Sequence, residues 1–142
     1  MQLVNRLSQP QLKQVHAFFS ERSYWSKVIT AERLQTAIDN SLCFAPVQTN
    51  QLIAFARVVT DCATFANLLD VFVLEPFRRM GHGKPLLDAV ITHPKLQGLI
   101  RFALETHDAH TLYQQFGFDD VQSPGFIMKR HITAAYISQD QR

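Results

Sequence analysis

Apolar positions set the first elements. LVNRL (3–7) reads as a short strand. SQPQLKQVHAFFSE (8–21) then takes a helical period, with Leu12, Val15 and Phe19 on one face. Ser8 can cap that helix, and Pro10 fits its first turn, where a missing N–H costs nothing. An aromatic and basic connector, ERSYWSKVI, leads to AERLQTAIDNS, a second helix capped by Thr30 with Leu34, Ala37 and Ile38 turned inward. Glu21 and Glu32 read as solvated helix charges. From Ser41 the period shortens to that of strands. SLCFAPVQ, QLIAFARVVTD and TFANLLDVFVL are β-rich runs separated by the turn candidates Thr49-Asn50 and Asp61-Cys62-Ala63. Connections this short predict an antiparallel meander.

A glycine turn follows, and then PLLDAVITH, where Leu86, Leu87, Val90 and Ile91 form a helical stripe. GLIRFALET is apolar enough to be predicted as an interior strand. AHTLYQQF is a helix that Asp108 can cap and that Gly117 ends in the left-handed position. FDDVQ and GFIMKRHI are predicted to close the domain as two strands around Ser123-Pro124-Gly125. The order β-α-α-β-β-β-α-β-α-β-β predicts an α/β fold, one domain over residues 1–142, with helices on a mixed sheet. No repeat or linker divides it.

Composition agrees. Of 142 residues 46% are apolar, enough for a real core. The formal charge of +2 argues for neither nucleic acid nor a membrane surface. With no signal peptide and no run long enough to span a bilayer, a cytoplasmic location is expected. Cys43 and Cys62 lack metal-ligand spacing and read as buried thiols, with a disulfide as the alternative.

The chemistry starts at RRMGHGKPLL (78–87), a basic turn between a strand and a helix. Backbone N–H groups at such a helix start can face a phosphate. Gly81 and Gly83 let the main chain approach, and Arg78, Arg79 and Lys84 add positive charge. Pro85 after Lys84 excludes a P-loop, and Leu86 stands where a dinucleotide fingerprint needs its third glycine. On these glycines alone a plain surface turn is the simpler reading.

The longer context changes this. Val73-Leu74-Glu75-Pro76-Phe77-Arg78-Arg79-Met80-Gly81-His82-Gly83 resembles the acetyl-CoA signature of GNAT-type N-acetyltransferases. Asp108-Ala109-His110-Thr111-Leu112-Tyr113-Gln114-Gln115-Phe116-Gly117-Phe118 resembles the family's second motif. The motif regions span about 65–93 and 99–118, and the resemblance covers about residues 41 to 130. It is strongest to small bacterial members with a Tyr-Trp near the second helix and a Phe-Ala-Arg-Val-Val-Thr-Asp strand.

The resemblance implies a mostly antiparallel mixed sheet of about six to seven strands, about four flanking helices, and splayed fourth and fifth strands. It implies acetyl-CoA as cosubstrate, held in a wedge between the strands at 65–74 and 99–105, without a metal. The diphosphate would lie on the amides of Arg79, Met80, Gly81, His82, Gly83 and Lys84, with Arg78 nearby. The pantetheine arm would pair with the backbone of Phe72 and Val73, and Ala109 would also contact the donor. Tyr113 matches the tyrosine that protonates the leaving thiolate, though Ala109, Leu112, Tyr113 and Phe116 also form a core stripe. Thr106 stands where the family often has Asn. The implied reaction is direct acetyl transfer to a primary amine of a small molecule or peptide. Neither nucleic acid nor membrane is an expected partner, and a homodimer is a possibility of the fold. A non-catalytic acyl-CoA-binding sensor or partner module is the alternative, and a peptide binder using sheet edges is a third reading.

Asp70 interrupts the apolar run LLDVFVL, a cost unless the charge is paired or used. It reads equally as a general base or as the ion-pair partner of Arg57, itself an odd charge in LIAFARVVT. A two-residue loop at 61–64 would set Arg57 opposite Leu68 with Asp70 diagonal to it, whereas a one-residue slip would separate their faces. Tyr24 and Trp25, with Lys27, would line the acceptor cleft opposite Ser123 to Phe126, or plug the core. His82 would contact phosphate or solvent. His107, Asp108 and His110 offer no third ligand for a metal, and His16, His93 and His131 read as surface positions.

Overall fold

The computed structural model describes residues 2–22, 29–106, 109–122 and 124–130. After β1 (Gln2–Val4), helix α1 (Gln9–Arg22) begins with a reciprocal cap. The Gln11 amide donates to Ser8 Oγ at 3.3 Å, and the Ser8 amide donates to Gln11 Oε1 at 3.0 Å. Helix α2 (Ala31–Asp39) starts at Thr30, whose Oγ1 accepts from the Arg33 amide at 3.1 Å. Strands β2 (Leu42–Gln48) and β3 (Gln51–Leu52) flank Thr49 and Asn50, both left-handed with φ of 51° and 62°. Two positive φ values in succession match the right-handed twist of the joined strands. The meander continues through β4 (Ala54–Thr60) and β5 (Phe65–Val73).

The sheet order is β1-β2-β4-β5-β6, with β3 paired to β2, and among the described residues only the β5–β6 pair is parallel. Helix α3 (Gly83–Ile91) carries the chain from β5 to β6 (Arg101–Leu104), and α4 (His110–Gln114) follows. Layers form on both faces of the sheet. Val15 and Phe19 of α1, with Leu34 and Ile38 of α2, pack on Cys43, Ala45, Val47, Phe55 and Phe72. Leu86, Leu87 and Val90 of α3 pack on Phe44, Ala54, Ala56, Val58, Ala66 and Leu68. The Phe72 ring stacks on Phe18 with centroids 3.9 Å apart and meets Phe19 and Phe55 at 5.9 and 5.6 Å. A buried Phe contributes about 1.5–3 kcal/mol, so this aromatic group ties the end of β5 to α1.

Several sequence expectations are corrected. Strand β6 lies at the edge of the sheet among the described residues, not in its interior. Residues 118–122 and 124–130 form no strands. Pro124–Phe126 is one 3-10 turn, with Phe126 and Met128 about nine-tenths exposed. Cys43 is buried but Cys62 is exposed, at φ 62°, and both are free thiols. His16 and His93 are half-buried. His16 Nε2 lies 3.1 Å from the Ile29 carbonyl, and His93 sets its ring edge on Phe44 at 5.4 Å. No described helix is long and apolar enough to cross a membrane.

Candidate active site

The site is built where β5 loses its neighbour. Strand β5 pairs with β6 only from Phe65↔Arg101 to Leu68↔Leu104, while its β4 partners continue to Ala54↔Val73. From Leu69 to Val73, one edge of β5 therefore has no strand beside it among the described residues. Groups that point into this wedge can be read from alternation. The Leu74 amide bonds the Ile53 carbonyl at 2.9 Å, toward β4. Val73 turns its carbonyl the other way, where Arg78 Nε donates to it at 3.0 Å.

Beyond β5 a 3-10 turn (Glu75–Phe77) brings the chain to residues 78–84. Arg79 is left-handed at φ 63° and Gly81 at φ 80°. His82 then returns to the right-handed region, at φ −77° and ψ −21°, and leads into α3 with no side chain capping it. A left-handed residue followed by a right-handed one turns successive amides toward one concavity. The amides of Gly81, His82, Gly83 and Lys84 enter none of the main-chain hydrogen bonds among the described residues. Arg78, Arg79, Met80 and Lys84 are exposed. His82 is half-buried, its ring centroid 6.2 Å from that of Phe77 in an edge-to-face arrangement. A Cβ at Gly81 or Gly83 would meet nothing within 4 Å, so the space above the turn is open. The turn thus offers free donors, a helix N-terminus and fixed positive charge together, which is the chemistry that receives an anion.

Tyr113 lies on α4, half-buried against the α3-side core with Leu112 and Phe116, its ring 6.1 Å from Phe118 at 80°. Three members of the core stripe read from the sequence are therefore present, whereas Ala109 stands before the helix and does not join that core. Gly117 closes α4 at φ 90°. Ala109 is the N-cap residue of α4, and its amide donates to Thr106 Oγ1 at 3.1 Å, so Thr106 holds the helix start. His110 lies 3.9 Å from the Asp120 carboxylate, both well exposed. Tyr24, Trp25 and Lys27, with His107, Asp108, Ser123 and His131, lie outside the described residues.

Asp70 and Arg57 come together. Arg57 Nε donates to Asp70 Oδ2 at 2.7 Å, with the two side chains 15% and 6% exposed. Arg57 Nη1 also donates to Ser41 Oγ at 3.0 Å, and the Ser41 hydroxyl donates to the Ala37 carbonyl at 2.5 Å. Nothing in the sequence singled out Ser41. The register differs from the one expected: Arg57 stands opposite Leu69, a one-residue slip. The pair forms nonetheless because a bulge sets Asp70 and Val71 together across from Ala56, with Asp70 left-handed at φ 55°. Cys43 lies opposite Arg57 on β2. Burial pushes its thiol up to about 11, with Arg57 opposing the rise, so it is protonated and unfit as a nucleophile.

A cleft of about 240 Å³ opens on the α1 face at the end of β5. Phe18, Leu74, Pro76 and Phe77 give it apolar walls, and Gln14 and Gln51 a polar side. The sequence did not reveal it, since its walls come from α1, β3 and the 3-10 turn. No group of potential metal ligands occurs among the described residues.

The sequence and the fold match known proteins. The sequence model of the acetyltransferase (GNAT) family matches residues 12–118. A solved GNAT-family protein from Xanthomonas campestris pv. campestris is 42% identical, covers 95% of each chain and superposes with a TM-score of 0.88. The ribosomal-protein-S18-alanine N-acetyltransferase of Escherichia coli shares the fold at 20% identity and TM-score 0.69, over 85% of this chain and 79% of that one. A Bacillus halodurans C-125 transcriptional regulator shares it at 17% identity and TM-score 0.68, over 92% and 99%. No curated protein matches the sequence. The family match over 12–118, with the near relative, shows that this chain belongs to the GNAT acetyltransferase family.

Proposed function

We propose that the protein transfers the acetyl group of acetyl-CoA directly to a primary amine of a small molecule or peptide. The observation that carries this reading is the turn at 79–84, whose open amides stand at the head of α3 beside the unpaired edge of β5. The diphosphate of coenzyme A would accept from those amides, with Arg78, Arg79 and Lys84 around it. The pantetheine arm would run along β5 at Phe72 and Val73 and extend the sheet like a further strand. Alternation favours Val73 for the direct contact, and a pantetheine amide would replace the Arg78 hydrogen bond to its carbonyl. Ala109 would border the donor from α4.

In the reaction the amine nitrogen attacks the thioester carbon, a backbone N–H near Val73 stabilises the oxyanion, and the C–S bond then breaks. Tyr113 would protonate the departing sulfur. Reference pKa values of about 10 for Tyr and about 8.5 for a thiol make that transfer nearly level. An N–C bond replaces the S–C bond, and the proton lost by the amine is balanced by the one gained at sulfur. Tyr24 and Trp25 are the proposed acceptor wall.

A second reading, a non-catalytic acyl-CoA-binding module, draws support from the locked Arg57–Asp70 pair. Turnover separates the two. Free thiol released from acetyl-CoA should rise when an amine panel, peptides with free N-termini included, is supplied. Tyr113→Phe should lower that turnover by about 10²-fold, the scale of general-acid catalysis, while donor affinity holds. Binding without thiol release from any amine would favour the module.

A further inference from the structure

The alternation of β5 changes partway along the strand. Ala66 and Leu68 face α3, as even positions should, yet Phe72 faces α1. Val71 and Val73 pack on the α3 side. The register accounts for the change: Arg57 pairs with Leu69 and Phe55 with Phe72, so one residue of β4 stands opposite two of β5. Those two are Asp70 and Val71, and Asp70 takes the left-handed φ of 55°. A non-glycine residue in that region is strained, Asp less so than most, and the strain persists only where the surroundings hold it. Here the hold is visible. Asp70 Oδ2 accepts from Arg57 Nε at 2.7 Å, and Arg57 is fixed in turn by Ser41, whose hydroxyl bonds the Ala37 carbonyl of α2. The bulge is thus anchored through two side chains to the α2 layer, on the face away from α3.

We propose, resting on the acetyl-transfer reading above, that Arg57 and Asp70 are a positioning pair: they hold the β5 bulge and so aim the Val71–Val73 main chain into the wedge. Asp70 takes no proton from the acceptor amine. A base must reach the proton it removes, and the Asp70 side chain is 6% exposed on the α1–α2 face. The pair sets where the oxyanion donor stands, and the chemistry is left to main chain and Tyr113.

The test combines four single variants, read by steady-state turnover and by crystal structures of residues 66–74. Asp70→Ala removes both the ion pair and the tolerance for left-handed φ. Arg57→Met removes the anchor alone. Both should lose about 10²-fold or more in kcat, the order expected when an oxyanion donor is misplaced. Their structures should show a regular β5 or a displaced Val71. Asp70→Asn keeps a left-handed residue and an acceptor for Arg57 but cannot act as a base. It should recover most of the turnover that Asp70→Ala loses and keep the wild-type pH–rate profile. Arg57→Lys, which retains the charge and folds more readily, should recover part of the Arg57→Met loss.

Two outcomes overturn the proposal. One is Asp70→Asn losing as much turnover as Asp70→Ala with its bulge intact, which would make Asp70 the base. The other is Arg57→Met keeping the bulge and the turnover. If the wild-type protein neither binds nor consumes acetyl-CoA, the functional reading fails instead. The Arg57→Met structure would still decide whether the pair holds the bulge.

Discussion

Two aspartates show how differently one residue type is used. Asp61 closes the β4–β5 connection: its Oδ1 accepts from the amides of Ala63, Thr64 and Phe65 at 2.8, 2.7 and 3.1 Å, and its Oδ2 from the Thr64 hydroxyl. The Thr64 hydroxyl, then these amides, hold its carboxyl far below the usual carboxylate range. A group whose folded pKa is depressed stabilises the fold above its unfolded pKa of about 4 and loses that contribution as pH falls toward the folded value. Asp61→Asn should therefore melt below wild type at pH 7, and the gap should narrow as the pH drops below about 4. Melting curves at a series of pH values check this; a gap constant down to acid pH would contradict it. Asp70, by contrast, is buried against Arg57. The sequence marked both charges as odd in apolar strands, which was correct, but not what joins them. A bulge inserts one residue into a period of two, and no local residue type announces it: TFANLLDVFVL has no glycine at the bulge. Ser41 was silent for a similar reason, since a lone serine at a strand start carries no pattern.

Among the elements, the turn entering α3 separates conformation from ligand approach. Gly81 needs its glycine for backbone reasons, because at φ 80° an L side chain costs about 1–2 kcal/mol. Gly83 has no positive φ and open space above its Cβ direction. Gly81→Ala should thus lower both the melting temperature and acetyl-CoA affinity. Gly83→Ala should leave the melting temperature unchanged or slightly raised, alanine being the better helix former. It should nevertheless weaken acetyl-CoA binding about tenfold or more, near 1.4 kcal/mol, if phosphate comes close to the main chain there. Thermal melts beside binding titrations make the comparison, and a Gly83→Ala protein with full affinity would contradict it. The capped helices and the meander were legible because their signals are local: Ser8, Thr30, the Thr49-Asn50 turn and Gly117 all act where they were read, and Gln11, not read as a cap, completes the Ser8 box. The edge position of β6 was not. Among the described residues its apolar side chains are covered by α4 and residues 116–118 rather than by another strand: Phe102 meets Phe118 at 5.4 Å.

At the scale of the molecule, two cores on opposite faces clamp a sheet whose centre, β2 and β4, is mostly buried. That rigidity lets β5 part from β6 without collapse, since β5 remains paired with β4 along its length. Helix α3 packs Leu86, Leu87 and Val90 on the sheet face formed by β2, β4 and the start of β5. The family was legible from residues 73–83 and 108–118, because each motif is a continuous stretch of sequence and needs no tertiary pairing to be read. The α1-side cleft was not, since Gln14, Gln51 and Phe77 meet only after folding.

The central claim is that the turn at 79–84 grips the diphosphate of an acyl donor. The most direct measurement is calorimetric titration of the protein with acetyl-CoA and, separately, with S-acetylpantetheine, which keeps the thioester and arm but lacks the diphosphate. Saturable binding of acetyl-CoA, with acetylpantetheine weaker by tenfold or more (about 1.4 kcal/mol), is the expected result. Equal affinity for both ligands, or no binding of acetyl-CoA, would contradict it.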